Sequence, residues 1–141
     1  MGYIKDTKAA ISLRIEECYG DTYKVYTEDI KQGLKSPCFR IALLKPSSSQ
    51  MPMGRKRKTR PYVVTYFPEN NSLGEMDDMG ETLEESLSLI ALPDGSKLRG
   101  TDISYEIKGG ILHFFVNYNY DTITREEHEP MEKLVLKGIE L

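Results

Sequence analysis

The feature that most constrains the fold is a pair of alternating stretches joined by two glycines. Ile103, Tyr105 and Ile107 share one side of the first stretch, and Lys108-Gly109-Gly110 follows as a tight turn. The second stretch runs from Ile111 to Tyr120. Its even-numbered positions are all apolar or aromatic: Leu112, Phe114, Val116, Tyr118 and Tyr120. Because successive side chains of a strand point to opposite faces, this pattern predicts a β-hairpin whose even-numbered face lies in the core.

Three other stretches have the composition of strands. Tyr23 to Glu28 alternates in polarity. Cys38 to Leu44 follows Pro37, which suits the first position of a strand because it has no N–H to donate. Tyr62 to Phe67 is dense in β-branched and aromatic residues, which are favoured in strands. We therefore expect strands in the first half of the chain as well as in the second.

Two amphipathic helices are predicted from apolar residues at spacings of three and four. The first spans residues 7–18, with Asp6 or Thr7 as its N-cap. The second spans residues 73–90, and Ser72-Leu73-Gly74-Glu75 fits a capping box at its start. The apolar stripe of this second helix consists of Met76, Met79, Leu83, Leu87 and Ile90.

The chain of 141 residues has the length of one domain, and we expect a single domain over residues 1–141. Near its end, Arg125 to Pro130 is predicted to be a solvated loop and Met131 to Leu141 an edge strand. No apolar run approaches the ~20 residues that a membrane-spanning helix requires, and the N-terminus lacks the pattern of a secretory signal. Two cysteines, Cys18 and Cys38, are too few for a disulfide scaffold, and we expect both to be reduced and buried.

Charge is distributed unevenly along the chain. Five of the six residues from Arg55 to Arg60 are basic, although the formal net charge is -3. They lie in a connection from Lys45 to Pro61, and connections of this length inside a domain are usually functional or disordered. The segment Glu69 to Glu85 has seven acids and no base. Two such opposite patches predict contact with copies of the chain or with similar neighbours.

Residue patterns typical of enzymes are not found. The sequence has no nucleophile paired with a base, no metal-ligand spacing and no glycine-rich phosphate loop, so no catalytic residue, metal or cofactor is predicted. His113 and His128 are interpreted as structural. Three acids cluster near the start of the second helix: Asp77, Asp78 and Glu81. Their attraction to the helix dipole explains this cluster better than a cation site does. Asn117 and Asn119 alternate with tyrosines, which leaves a base-stacking platform as an alternative to core packing.

The basic run Arg55, Lys56, Arg57, Lys58 and Arg60 leaves three interpretations open. It could be a solvated loop. It could contact a phosphate backbone, independently of sequence and sensitively to salt. It could also be a docking arm that binds an acidic neighbour.

The order of the elements resembles that of the tail terminator family of long-tailed bacteriophages, especially the form found in prophages and phage-like particles of Gram-positive bacteria. The likeness covers nearly the whole chain. The residues that carry it are Tyr23 to Glu28, Gly33 to Phe39, Met76 to Leu87, Leu98-Arg99-Gly100, Ile107 to Phe114 and Met131-Glu132-Lys133-Leu134.

This resemblance implies an α+β fold, in which a mostly antiparallel sheet has two main helices packed on one face and a long hairpin arm. It implies a structural virion protein that forms a homohexameric ring, caps the tail tube, ends tail polymerisation and joins the head. Its partners would be the tail tube protein and a head connector or neck protein, with no membrane. It would lie in the bacterial host cytoplasm during assembly and afterwards in the tail of the virion or particle.

The role of the basic run within such a ring is a hypothesis with two forms. The arm either lines the channel used by DNA or reaches an acidic surface on a neighbour, and we favour the second form. Glu81, Glu84 and Glu85 are the predicted acidic surface. The alternatives to a terminator are a small nucleic-acid-binding protein that uses the same arm and a related neck or tail-completion protein.

Overall fold

The computed structural model describes residues 3–27, 37–69 and 72–123, together with the backbone of two strands at 125–129 and 133–137. The elements in chain order are α1 (Tyr3–Tyr19), β1 (Lys24–Tyr26), β2 (Cys38–Leu43), β3 (Ser47–Met51), a 3₁₀ turn (Pro52–Gly54), β4 (Arg55–Thr59), β5 (Pro61–Phe67), α2 (Leu73–Ser86), β6 (Leu89–Ala91), β7 (Lys97–Arg99), β8 (Thr101–Lys108), β9 (Ile111–Asn117), β10 (Tyr120–Ile123), β11 (Arg125–Glu129) and β12 (Lys133–Lys137).

The main sheet has five strands in the order β1-β2-β5-β9-β8. The pair β1 and β2 is parallel, and the other three pairs are antiparallel. Strand β5 lies at the centre, and five of its seven residues are buried. The mostly antiparallel α+β fold predicted from the sequence is confirmed.

Both helices contribute to one core on the same face of this sheet. The core includes Ile11 and Ile15 from α1, and Leu83 from α2. They pack with the even-numbered residues of β5 and β9, such as Val64 and Phe114, all of which are essentially inaccessible to solvent. The even-numbered face predicted for β9 is therefore the core face.

Helix α1 begins earlier than predicted, at Tyr3. Asp6 and Thr7 consequently lie inside the helix instead of capping it. The Thr7 hydroxyl donates a hydrogen bond to the Tyr3 carbonyl at 2.7 Å, which is the backbone contact that a threonine makes within a helix.

The two cysteines differ in exposure. Both are free thiols. Cys38 is fully buried in β2, and this burial raises the pKa of its thiol. Cys18 is exposed, so its predicted burial was wrong. It lies in the last turn of α1 and packs beside α2 at the surface, where its Sγ is 3.0 Å from the Ser86 hydroxyl.

Helix α2 has the Ser72 half of the predicted capping box, without the reciprocal Glu75 contact among the described hydrogen bonds, and it ends earlier than predicted. The Ser72 hydroxyl accepts a hydrogen bond from the Glu75 amide at 3.3 Å. The helix ends at Ser86, not at Ile90, because Leu87 leaves the helical conformation. Ile90 reaches the core from the short strand β6, which pairs with β7. Apolar residues at helical spacing can thus be buried from two different elements.

The C-terminal segment is more regular than predicted. Tyr120 does not continue β9 but starts β10, after a break at residues 118–119. Arg125–Glu129 is a strand, not a solvated loop, because it pairs along its length with Lys133–Lys137. Glu28, Pro130 and Met131, at the bounds of predicted elements, lie outside the described residues.

Gly80 gives a test of how α2 packs on the edge strand β8. A Cβ placed there would lie 2.7 Å from the Tyr105 ring, whereas a Cβ at Gly74 would meet nothing within 4 Å. Alanine favours a helix over glycine by about 1 kcal/mol, but overpacking costs about 1–3 kcal/mol. We predict that Gly80→Ala lowers the free energy of unfolding by about 1 kcal/mol, measured by urea denaturation.

The matched control is Gly74→Ala, which should leave the free energy of unfolding unchanged or raise it by up to about 1 kcal/mol. Equal stability of the two variants would mean that Tyr105 moves aside without cost, and would contradict the predicted contact.

Candidate functional site

The basic run lies in a three-stranded sheet with the order β10-β4-β3, and not in a loop. The hairpin of β3, the 3₁₀ turn and β4, residues 47–59, is here called the arm. The Leu44 amide donates to the Pro61 carbonyl at 2.8 Å, which extends the pairing of β2 with β5 by one step. Lys45, Pro46 and Arg60 lie outside the strands and connect this pairing to the arm. At the tip, Met53 and Gly54 have positive φ values of 66° and 73°, and Met53 is 88% exposed. The long hairpin arm expected from the resemblance is present.

Alternation along β4 divides the basic side chains between two faces of the arm. Arg55 and Arg57 lie on one face, and Lys56 and Lys58 on the other. Strand β10 places Asp121 directly opposite Arg57. The arginine face therefore has a carboxylate at its centre.

Asp121 is shared by two arginines of the arm. Its carboxylate accepts from Arg55 at 3.0 Å and from Arg57 at 2.5 and 3.3 Å. These hydrogen bonds, first from Arg57 and then from Arg55, lower the pKa of the Asp121 carboxyl, and the same contact raises the pKa of the Arg57 guanidinium. All three side chains remain partly exposed to solvent. The arginine face is thus partly neutralised within the chain.

Arg60 ties the arm to its base. Its Nη1 donates to the carbonyls of Ser47 and Thr59, at 2.8 and 2.9 Å. Its guanidinium lies over the Tyr120 ring, 5.8 Å from the centroid, a distance suited to a cation–π contact. Its backbone amide donates to Asn119 Oδ1 at 2.8 Å. Arg60 therefore has a structural role that its place in a basic run did not indicate.

Lys56 and Lys58 are the cations of the run that face outward without a partner in the described part of the chain. Lys56 is exposed and Lys58 is half-buried. Neither makes a hydrogen bond or an ion pair with a described residue, in contrast to Arg55, Arg57 and Arg60. The charge that the arm offers to another molecule is therefore concentrated on the lysine face.

The predicted acidic surface lies on the exposed side of α2. Glu81, Glu84 and Glu85 are all exposed. The pKa of the nearby Tyr105 is raised, first by desolvation and then by the negative charges of residues that include Glu81 and Glu84. No ion pair between described residues joins this surface to the arm. The structure does not bring the two predicted surfaces together within one chain.

Asn117 and Asn119 have local partners. Asn117 donates to Asp102 at 3.1 Å, and Asn119 accepts from the Arg60 amide. Tyr118 is buried and its hydroxyl donates to the Leu87 carbonyl at 2.5 Å, while the Tyr120 ring packs 4.2 Å from that of Tyr3. Since base stacking requires exposed ring faces, these tyrosines do not form a stacking platform.

The remaining polar candidates do not form a site. His113 lies in β9 between Thr65 and Glu106, and His128 lies in β11. No group of histidine, cysteine and acidic side chains in the described ranges is arranged to hold a metal ion. Over the same ranges, no helix is both long and apolar enough to cross a membrane.

Comparison with known proteins identifies the family. A family model described as phage tail terminator protein matches residues 6–131, which is most of the chain. The chain belongs to the phage tail terminator family. This is a family of structural virion proteins, and membership places the chain in the tail of a phage. No curated protein is significantly similar to the terminator in sequence.

Asp121 is the residue of the site that sequence reasoning missed, and Asn119 was considered only for base stacking. Both lie about sixty positions beyond the basic run in sequence; Asp121 reaches it from β10, and Asn119 reaches the Arg60 amide from the break before that strand. Asp121 follows an alternating stretch that the sequence predicts as a single strand, so no local pattern assigns it to the basic run. Cross-strand partners are set by strand register, and the sequence has no signal that fixes the register of β10 on the arm.

We predict that Asp121→Asn loosens the arm at neutral pH, because it removes the charge shared by Arg55 and Arg57. Hydrogen exchange should become faster for amides of β4 and β10. In the unmodified protein the same loosening should appear only as the pH falls below about 3.8, the ordinary pKa of the group. A carboxyl whose pKa is lowered by folding stabilises above that value and loses its effect as it is protonated.

The control is Asp94→Asn. Asp94 also has a lowered pKa, because the Ser96 hydroxyl and amide donate to it, but it lies in the turn between β6 and β7. This variant should leave exchange in the arm unchanged. Unaltered exchange in β4 of Asp121→Asn at neutral pH would show that the shared carboxylate does not order the arm.

Proposed function

We propose that this terminator forms a hexameric ring that caps the tail tube, ends tail polymerisation and provides the surface to which the head connector joins. Family membership supports the tail role. The observation that supports the ring is that the lysine face of the arm and the acidic surface of α2 have opposite charges but do not contact each other within one chain. Such surfaces are suited to contact between copies.

In this proposal the arm docks onto the acidic surface of an adjacent subunit. Lys56 and Lys58 make the principal contacts, since Arg55, Arg57 and Arg60 are already engaged within the chain. Glu81, Glu84 and Glu85 are the acceptor surface, and all three carboxylates are exposed. Partial burial of these pairs in an interface would strengthen them relative to free surface pairs.

The proposed partners are further copies of the chain, the tail tube protein and a head connector or neck protein. Assembly would take place in the cytoplasm of the bacterial host, and the ring would then remain in the virion or phage-like particle. The Gram-positive prophage type stays a prediction from the sequence. A neck or tail-completion role is the nearest alternative, since it would use a ring of the same general design.

We predict that Lys56→Glu combined with Lys58→Glu prevents ring formation and head joining, because the lysine face would repel the acidic surface. Native mass spectrometry should show monomers in place of a closed multimer. Electron microscopy of assembled tails should show tails of irregular length without heads. Adding Glu81→Lys and Glu84→Lys to the same chain should restore the multimer, since it restores attraction with the signs exchanged.

The matched control reverses two exposed lysines outside the arm, Lys5 and Lys24, to glutamate. This change alters the net charge by the same amount and should leave the multimer intact. If reversal of Lys56 and Lys58 left both the ring mass and head joining unaltered, docking of the arm on the acidic surface would be wrong.

Contact with DNA is the second candidate function, and it rests on the same two lysines. Exposed lysines bind phosphates without regard to sequence, and each neutralised phosphate contributes to a steep loss of affinity with salt. The acidic total charge of the protein opposes this role, because dedicated nucleic-acid-binding domains are usually basic.

If the arm contacts DNA, the protein should bind duplex DNA at low salt, with an affinity that falls as salt rises. The double variant Lys56→Glu, Lys58→Glu should lose that binding. Fluorescence anisotropy across a salt series measures both effects. No binding of the unmodified protein at low salt would remove the DNA role.

A further inference from the structure

The outer strand of the arm has an unpaired edge without the usual protection. Strand β3 pairs with β4 on one side, and no strand in the described part of the chain pairs with its other side. Soluble proteins normally protect such an edge with charged residues, proline or a bulge. The β3 sequence Ser-Ser-Ser-Gln-Met has no charge and no proline, and its residues are largely exposed. The Ser47 carbonyl already accepts from Arg60, and the remaining outward N–H and C=O groups of β3 are available to another strand.

The main sheet has a second available edge at β8. This strand pairs with β9 on one side, and again no described strand pairs with the other. The register shifts between Thr101 and Ser104, so the regular part of the edge runs from Ser104 to Lys108. Strand β8 is therefore a longer edge strand than β1, which has three residues and lies at the opposite edge of the main sheet. Asp102, Glu106 and Lys108 are exposed along the strand, so this edge carries charges that deter a strand whose own charges do not complement them.

The surroundings of β8 make this edge acidic. Tyr105 of β8 packs against Gly80 of α2. Asp77, Glu81 and Glu84 are the α2 carboxylates whose charges act on the Tyr105 hydroxyl. The acidic helix surface and the β8 edge are thus parts of one region, and a strand added to β8 would lie beside it.

The charges beside the β3 and β8 edges favour one combination of these edges over the others. Two copies of β3 placed edge to edge would bring together two arms that each carry Lys56 and Lys58. Two copies of β8 would bring together two acidic flanks. Pairing of β3 with β8 places opposite charges side by side, which favours that combination over either like pair.

We propose that the β3 edge of one copy adds to the β8 edge of the next copy, so that adjacent sheets are joined by backbone hydrogen bonds. The inference rests on the proposed ring and specifies how its subunits meet. The two contact surfaces are different, so the contact is head-to-tail, and such contacts close into a ring when the rotation between copies permits. The lysine face of the arm then lies beside the acidic flank of β8 and α2.

The test is chemical cross-linking between cysteines placed on the two edges. All variants carry Cys18→Ser, because Cys18 is exposed, whereas Cys38 is buried and should not react. Ser49→Cys labels β3 and Ser104→Cys labels β8, and both serines are exposed. The two variants are coexpressed with tags of different length and treated with a short bismaleimide, which tolerates a shift of register.

The expected product is a covalent dimer that contains one chain of each kind, in several-fold excess over dimers of like chains. A single chain that carries both cysteines should give a ladder of higher multimers. Lys24→Cys coexpressed with Ser49→Cys is the matched control, since Lys24 is exposed on β1, at the edge of the main sheet opposite β8 and beside the end of β2 that is far from the arm. It should give no dimer.

Three results would overturn the pairing. Dimers of like chains in excess would show that identical edges meet. A closed multimer by native mass spectrometry, without the mixed dimer, would leave the ring intact and exclude this way of joining it. A protein that stayed monomeric at every concentration and gave no mixed dimer would contradict the ring and the strand pairing together.

Discussion

The structure depends on one buried tyrosine at the junction of the core, helix α2 and the arm. The Tyr118 hydroxyl donates to the Leu87 carbonyl at 2.5 Å, at the point where α2 ends. Its backbone amide donates to the Arg60 carbonyl at 3.0 Å, at the base of the arm. Because a buried hydroxyl without a partner is costly, this residue holds the helix end and the arm base at a fixed separation. Burial also raises the pKa of Tyr118, so the hydroxyl stays protonated as a donor.

Alternation along a single strand determines how much of the basic run is available to a partner. A count of basic residues treats Arg55 to Arg60 as one patch. The strand separates them, places an acid among the arginines and leaves the lysines on the opposite face. Neighbouring positions in the sequence thus differ in role: the arginines are held by Asp121 within the chain, whereas the lysines contact no described residue and are proposed to contact a partner.

Elements that bury a long apolar face could be predicted from the sequence. The arm, which buries little, and the short pair β6 and β7, whose Ile90 continues the helical spacing of α2, could not. The buried face of β9 and the N-cap at Ser72 could both be predicted, because burial and helix ends produce strong local sequence patterns. The arm has no such pattern, since Ser47–Met51 contains three serines and little apolar surface. Its pairing comes from continuation of β2 and β5 and from β10 far along the chain. The same reason applies to Arg125–Glu129, whose partner is supplied by its own hairpin.

The continuity of the arm with β2 and β5 has a mechanical consequence. These strands run through the middle of the main sheet, and the hydrogen bond between Leu44 and Pro61 extends their pairing to within two residues of the arm on one strand and one residue on the other. A pull on the arm along the strand direction would draw β2 and β5 together, so the hydrogen bonds of β5 with β9 and of β2 with β1 would be loaded in shear, where several bonds resist at once. A subunit held by its arm would therefore transmit tension into its own core without peeling open at the edge.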